Sequence, residues 1–228
     1  MQSLDGLIVL TDREAEYWEE FLPGRVFVAR HGVDVEFFCP SENTATISSE
    51  PRCLVVGHWL RDFSTLAEVV DLLSERIPAI GFDIVIPLVA RSLDVMMRLA
   101  RQDNVRFVEG LTDEELRDLY RSSTLLLLPM LDATANNAIL EAQACGVPIV
   151  STDVGGVAFY VTPAFADLLP VGDSEGIANA VVRLIESEQE RERRGRAARD
   201  HAVDHLSWHR LATCTLEAYE NVLRKKRA

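Results

Sequence analysis

Residues Asp132 to Gly156 read DATANNAILEAQACGVPIVSTDVGG, directly after the apolar run Leu125–Leu128 and Pro129. The order of parts is a strand, a polar loop, a helix starting near Asn136 with one acid, Glu141, in apolar company, and a stop at Cys145-Gly146 reinforced by Pro148. A second strand, Ile149–Ser151, then runs into Gly155-Gly156. A strand–loop–helix–strand unit with short apolar strands belongs to a parallel sheet buried on both faces.

The same alternation extends on both sides. Apolar runs recur at Gly6–Leu10, Arg25–Ala29, Cys53–Val56, Ile84–Leu88, Val105–Val108 and Leu168–Leu169. Helical periodicity lies between them: Leu66, Val69, Val70 and Leu73 share one face, as do Ile177, Val181, Leu184 and Ile185. Thr112 and Glu115 form a capping box ahead of Leu116, Leu119 and Tyr120. Near the amino terminus the pattern predicts strand, helix (Arg13–Phe21) and strand, then a turn at His31-Gly32-Val33-Asp34. Ser41–Arg52, rich in Ser, Thr, Glu and Asn, reads as an exposed loop. Glu186–Asp200 reads as a charged, solvated helical surface, and Ser207 as the N-cap of a last helix with Leu211, Cys214, Tyr219 and Val222 on one face. The expected fold class is therefore α/β, a Rossmann-like parallel sheet with helices on both faces.

Composition narrows the function. With 228 residues, 48% of them apolar, the chain can bury a substantial core, and its net charge of −13 repels nucleic-acid backbones and anionic membranes. The basic cluster Arg224, Lys225, Lys226 and Arg227 reads either as a helix end whose cations complement the dipole or as a weak membrane-surface contact. Cys39, Cys53, Cys145 and Cys214 lack Cys-x-x-Cys spacing, so no zinc knuckle or redox pair is expected, only reduced core thiols. Neither a membrane span nor a signal peptide is visible, which places the expected location in the cytoplasm. No Gly-x-Gly-x-x-Gly follows a strand, which argues against a dinucleotide-dependent oxidoreductase.

In open parallel sheets ligands sit at the carboxyl ends of the strands. The loops to read are Gly57–Phe63, Glu109–Asp113, Pro129–Asn137 and Asp153–Val157. The free amides opening the helix at Asn136 suit a diphosphate, so an acidic protein can still bind phosphate there. Glu141, one turn on, requires a partner: either sugar hydroxyls or a local Arg or backbone amide.

As a set these motifs resemble the donor-binding half of retaining GT-B glycosyltransferases, the group 1 glycosyl transferase family. The likeness rests on Leu-Glu-Ala-x-Ala-Cys-Gly-Val-Pro-Ile-Val (Leu140–Val150), Asp153-Val154-Gly155-Gly156, the hinge-like His31–Asp34, Val105–Gly110 followed by Thr112–Leu116, and Ser207-Trp208. It implies a hexose transferred from a nucleotide-diphosphate sugar to an unknown acceptor with retention, with no metal and no cofactor. It makes Glu141 the ribose-binding second acid of a Glu-x7-Glu element and places Gly110 in the nucleobase loop. The first acid of that element falls where this sequence has Ala133. Asp132 can reach the same space and is the candidate catalytic acid there, with a water-facing loop residue as the competing reading. Thr134, Asn136 and Asn137 are candidate sugar contacts, the two Asn residues competing with simple helix capping.

In Gly57-His58-Trp59-Leu60-Arg61-Asp62-Phe63, the family's Arg after the glycine is replaced by His58, and Phe63 stands near its Lys. Arg61 is the expected substitute cation for the diphosphate, against a surface pair with Asp62 or another carboxylate. Gly57, Gly155 and Gly156 admit close backbone approach, and Trp59 is expected to pack. The expected organisation is residues 1–34 as the remnant of an amino-terminal acceptor domain and hinge, 35–206 as the nucleotide-sugar domain, and 207–228 as a closing helix. A missing amino-terminal domain or partner subunit is expected to complete the cleft. The alternatives are a non-catalytic nucleotide-binding or scaffold subunit, or a sugar-nucleotide isomerase.

Overall fold

Six strands, each 4–5 residues long and mainly apolar, form one parallel sheet in a computed structural model that describes residues 4–41, 50–87 and 94–227. They are β3 (Arg52–Val56), β4 (Gly81–Val85), β5 (Val105–Val108), β6 (Leu125–Leu128), β7 (Ile149–Thr152) and β8 (Ala166–Leu169), in the order β5-β4-β3-β6-β7-β8. A separate parallel pair, β1 (Leu7–Val9) and β2 (Val26–Val28), is joined by α1 (Asp12–Glu19). The other helices are α2 (Phe63–Arg76), α3 (Asp94–Leu99), α4 (Asp113–Ser122), α5 (Asn137–Ala144), α6 (Ser174–Glu186), α7 (Glu188–His205) and α8 (Trp208–Arg227).

The core lies between the sheet and its helices. Leu125–Leu128 are all fully buried, as are Leu66, Val69, Val70 and Leu73 of α2 and Ile177, Val181 and Leu184 of α6. Strand order reverses between β3 and β6, which opens a crevice at their carboxyl ends. The loops bounding it are stitched together: Asp62 N–H donates to Pro129 O, Leu131 N–H to Leu60 O, and Arg61 and Met130 form an antiparallel bridge.

Several local expectations are met and others shift. The Thr112–Glu115 capping box forms in both directions, and the Arg210 amide donates to Ser207 Oγ at the start of α8. The strand expected at Ile84–Leu88 runs instead from Gly81 to Val85, and Leu88 lies outside the described residues. Its start is hidden by Asp83, a buried acid that Arg52 in β3 and Arg106 in β5 neutralise across the sheet. The Ser41–Arg52 loop falls largely outside the described residues, and its end, Arg52, already belongs to β3. The first helix starts earlier than expected because a second capping box, Thr11–Glu14, fixes its amino end.

The Glu186–Asp200 surface belongs to α7, which also buries Arg194, Gly195, Ala198 and Ala202. Added to Gly195, a Cβ would stand 2.4 Å from Gly146 O, so this glycine brings α7 onto the end of α5. Of the four thiols, Cys53 and Cys145 are core residues, whereas Cys39 and Cys214 are half-buried; all are free. At the chain end, Lys225 Nζ donates to Gly24 O and Arg224 to Asn221, so these cations of the basic cluster have local partners within the fold. Among the described residues no helix is long and apolar enough to cross a membrane.

Candidate functional site

At the switch point the β3–α2 loop and the β6–α5 loop face one another, and Arg61 lies between them. Gly57 has a positive φ of 82°, and a Cβ there would stand 2.9 Å from Arg61 Nη2; glycine lets the guanidinium fold back over the loop. Arg61 Nε donates to Val56 O at 3.0 Å and Nη1 to Trp59 O at 3.0 Å. Its remaining contacts are Met130 Sδ at 3.4 Å and Asn136 Oδ1 at 3.5 Å. The competing carboxylate pair is absent among the described residues, because Asp62 instead caps α2 through the amide and hydroxyl of Thr65. Burial without an opposing acid lowers the Arg61 pKa to about 10, so the cation persists at neutral pH with only neutral protein acceptors. A half-buried cation in this state favours an anion.

The amino end of α5 lies beside it. Asn136 does not cap the helix; its Oδ1 faces Arg61 and its Nδ2 faces Met130 Sδ at 3.4 Å. Asn137 does not cap either, its Oδ1 meeting His31 Nε2 at 2.8 Å. The capping alternative for these two residues is thereby set aside. Asn136 O accepts from the amides of Ile139 and Leu140, and the amides of Asn137 and Ala138 have no protein acceptor among the described residues. An open helix amino terminus and an unneutralised guanidinium therefore share one crevice.

Glu141 is half-buried one turn further on. Among the described residues neither an Arg nor a backbone amide partners it; Tyr120, from α4, donates its hydroxyl to Oε2 at 2.8 Å. Burial pushes the Glu141 pKa up, the Tyr120 hydrogen bond pulls it down, and the charge of Asp113 adds to the upward push. The sequence offered Tyr120 only as part of a helical face; its spacing beside the glutamate becomes visible only when α4 and α5 pack.

The third wall is the Asp132–Thr134 loop on Gly155-Gly156. A Cβ would stand 2.1 Å from Ala133 O at Gly155 and 2.0 Å from Thr134 O at Gly156, so both glycines are required by contact. The Asp132 side chain is exposed and Oδ1 accepts from the Ala133 amide at 2.8 Å. Between this wall and α1 is a cleft of about 380 Å3, bounded by Thr11, Arg13, Tyr17 and Trp18 on the α1 side. Thr134 is exposed at its edge. Gly110, with a φ of 67° and open space at its Cβ position, follows β5.

Two sequence expectations are placed differently. His58 is exposed at the loop surface, while Arg61 provides the inward cation. Trp59 does not pack: it is 75% exposed, beside Leu60, whose φ of 56° turns the loop outward.

The family model described as "Glycosyl transferases group 1" matches residues 50–187. The chain is 27% identical over 242 residues to D-inositol 3-phosphate glycosyltransferase of Kribbella flavida, covering 96% of this chain and 57% of that protein. The corresponding enzyme of Saccharomonospora viridis is 30% identical over 243 residues, covering 96% of this chain and 56% of the relative. The chain thus spans about half the length of the curated relatives it matches. Among solved structures, sucrose-phosphate synthase from Thermosynechococcus elongatus superposes with a TM-score of 0.82 at 22% identity, covering 98% of this chain and 59% of that one. Anabaena HepE in complex with UDP-glucose gives 0.77 at 16% identity, covering 96% and 64%. At these identities the structural matches establish the fold alone, which is that of the GT-B enzymes.

Proposed function

This chain belongs to the group 1 glycosyl transferases, and from that premise we propose that it is the donor-binding half of a glycosyltransferase, holding a nucleotide-diphosphate sugar at the β3/β6 switch point. The observation that carries this reading is Arg61, a half-buried cation with no acid partner among the described residues, held by neutral acceptors beside the amino end of α5. Arg61 and the amides of Asn137 and Ala138 bind the diphosphate. Glu141 accepts from ribose hydroxyls, Gly110 gives the nucleobase room, and Asn136, Asn137, Asp132, Thr134, Gly155 and Gly156 surround the sugar. His58 borders the loop from outside.

Catalysis in this reading is electrostatic. Charge grows on the diphosphate as its bond to the sugar breaks, and a preoriented guanidinium and helix amides stabilise that charge without reorganising. Transfer of a hexose with retention and without a metal follows from the family resemblance and belongs to the proposal. So does the division into 1–34, 35–206 and 207–228.

The acceptor side needs more protein. A two-stranded parallel pair is too small to be stable alone, and Tyr17, Phe21, Leu216, Tyr219 and Leu223 are all exposed on α1, its following turn and α8. We assign that surface to the remaining portion of an acceptor domain, in the same chain or in a partner subunit.

The test is calorimetric titration of UDP, GDP and ADP, and their sugars, into wild type, Glu141→Ala and Arg61→Gln. One diphosphate should bind wild type, with each substitution weakening it by roughly tenfold or more. No binding, or binding indifferent to both substitutions, would overturn the reading. Ala133, where an acid is expected, favours a second reading as a nucleotide-binding subunit without transfer. Binding with no donor hydrolysis or transfer, once the acceptor half is supplied, would select it.

A further inference from the structure

Tyr120 is fully buried and no part of the reading above uses it. Its ring stands edge-on to Phe38 at 6.2 Å between centroids, and Phe38 stands edge-on to Phe37. Phe37 lies beneath the Arg117 guanidinium of α4 at 4.8 Å. These phenylalanines follow the turn in which Asp34 Oδ1 accepts from the amides of Glu36 and Phe37. Two further arginines hold the same strap through its carbonyls. Arg199 Nη1 reaches Val35 O, Phe38 O and Ala144 O, and Arg121 Nε reaches Cys39 O. The Tyr120 ring is therefore fixed, and so is the direction of its O–H bond to Glu141.

We propose that Tyr120 is a positioning residue of the donor site: its hydroxyl fixes one oxygen of Glu141 and leaves the other for a ligand. The inference rests on the donor-site reading and adds the group that holds its acid in place.

Three features make the hydroxyl suited to this. Burial, then the charge and hydrogen bond of Glu141, push the Tyr120 pKa well above its ordinary value, while Arg61 opposes them. The phenol consequently remains a donor at all working pH values. Glu141 Oε1 has no protein partner among the described residues, so one oxygen is occupied and one is free. The charged and titratable groups acting on this acid are Tyr120 and Asp113 of α4 and Cys145 at the end of α5, with Arg61 acting across Tyr120. Of these, Tyr120 favours the ionised form directly, against burial and Asp113.

Tyr120→Phe keeps the ring and removes only the hydroxyl. In the ligand-free 228-residue chain, the Glu141 side-chain carboxyl is followed by 13C NMR against pH, with Glu141→Gln assigning the resonance. Its inflection should move to higher pH in Tyr120→Phe. Calorimetry with UDP, GDP and ADP over pH 5–8 should then show roughly tenfold weaker binding by Tyr120→Phe near neutrality. Its rise in affinity with pH should also be displaced upward, whereas Glu141→Gln and the double variant should coincide. Comparing variants cancels the titration of the nucleotide itself. Binding by wild type together with an unmoved inflection and superimposable pH profiles overturns the role of Tyr120 and leaves the donor site standing. No binding by wild type to any of the three overturns the donor site, and the role of Tyr120 with it.

Discussion

Replacing Arg61 by Met is expected to separate stability from ligand binding. The depression of this guanidinium to about pKa 10 by burial corresponds to roughly 3 kcal/mol against the charged form. Because the folded value is the lower one, the penalty is fully present at neutral pH and is relieved only as pH rises through about 10. The substitution removes that cost and also removes the bonds to Val56 O and Trp59 O. Those bonds come from a charged donor and are worth about 1.5–3 kcal/mol each. The ligand-free variant should therefore be as stable as wild type, or less stable by up to about 3 kcal/mol. A diphosphate loses at least one charge-assisted bond of about 1.5–3 kcal/mol, a fall in affinity of tenfold or more. Urea unfolding at neutral pH, with and without the nucleoside diphosphate that binds wild type, reads both quantities. A variant that lost more than about 3 kcal/mol of intrinsic stability yet bound nucleotide normally would show that Arg61 is a structural brace, and the anion-site argument would fail.

Further outcomes follow from groups outside the crevice and at its wall. His201, with Nδ1 at 2.9 Å from Gln143 Oε1, is lowered to about pKa 4 by burial and then by His205. Its contribution is present above about pH 6.5 and is lost as pH falls toward 4; after solvent screening it amounts to about 1–2 kcal/mol. His201→Gln should flatten stability over that window in urea titrations at stepped pH. Asp83→Asn leaves Arg52 unpaired beside the core and should cost about 3 kcal/mol in urea unfolding, most of it from Arg52, since Arg106 is mainly exposed. Gly156→Ala must displace Thr134 O and should cost about 1–3 kcal/mol by thermal unfolding. It should also weaken nucleotide-sugar binding more than binding of the bare diphosphate, because in the proposed donor site the displaced loop borders the sugar.

The sequence alone determined the alternation of strand and helix, the capping box at Thr112 and Glu115, the stop after Cys145, and the loops that border the crevice. Those properties are local: apolar runs, helical spacing and turn chemistry act over a few residues and are legible one segment at a time. It also singled out Arg61 and Glu141 by position. Their partners were beyond it. Asp83 concealed the start of β4 because its neutralising arginines lie on two other strands, and no local pattern announces a charge paired across a sheet. A surface ion pair remains the competing reading of Arg61 until the fold closes Gly57 and Met130 around it and commits Asp62 to capping α2. Tyr120 reads as one more helical side chain until α4 packs on α5 and brings its hydroxyl to Glu141. Which charges are neutralised, and which remain free to meet a ligand, depends on contacts between residues distant in the chain. The tertiary structure alone decides them.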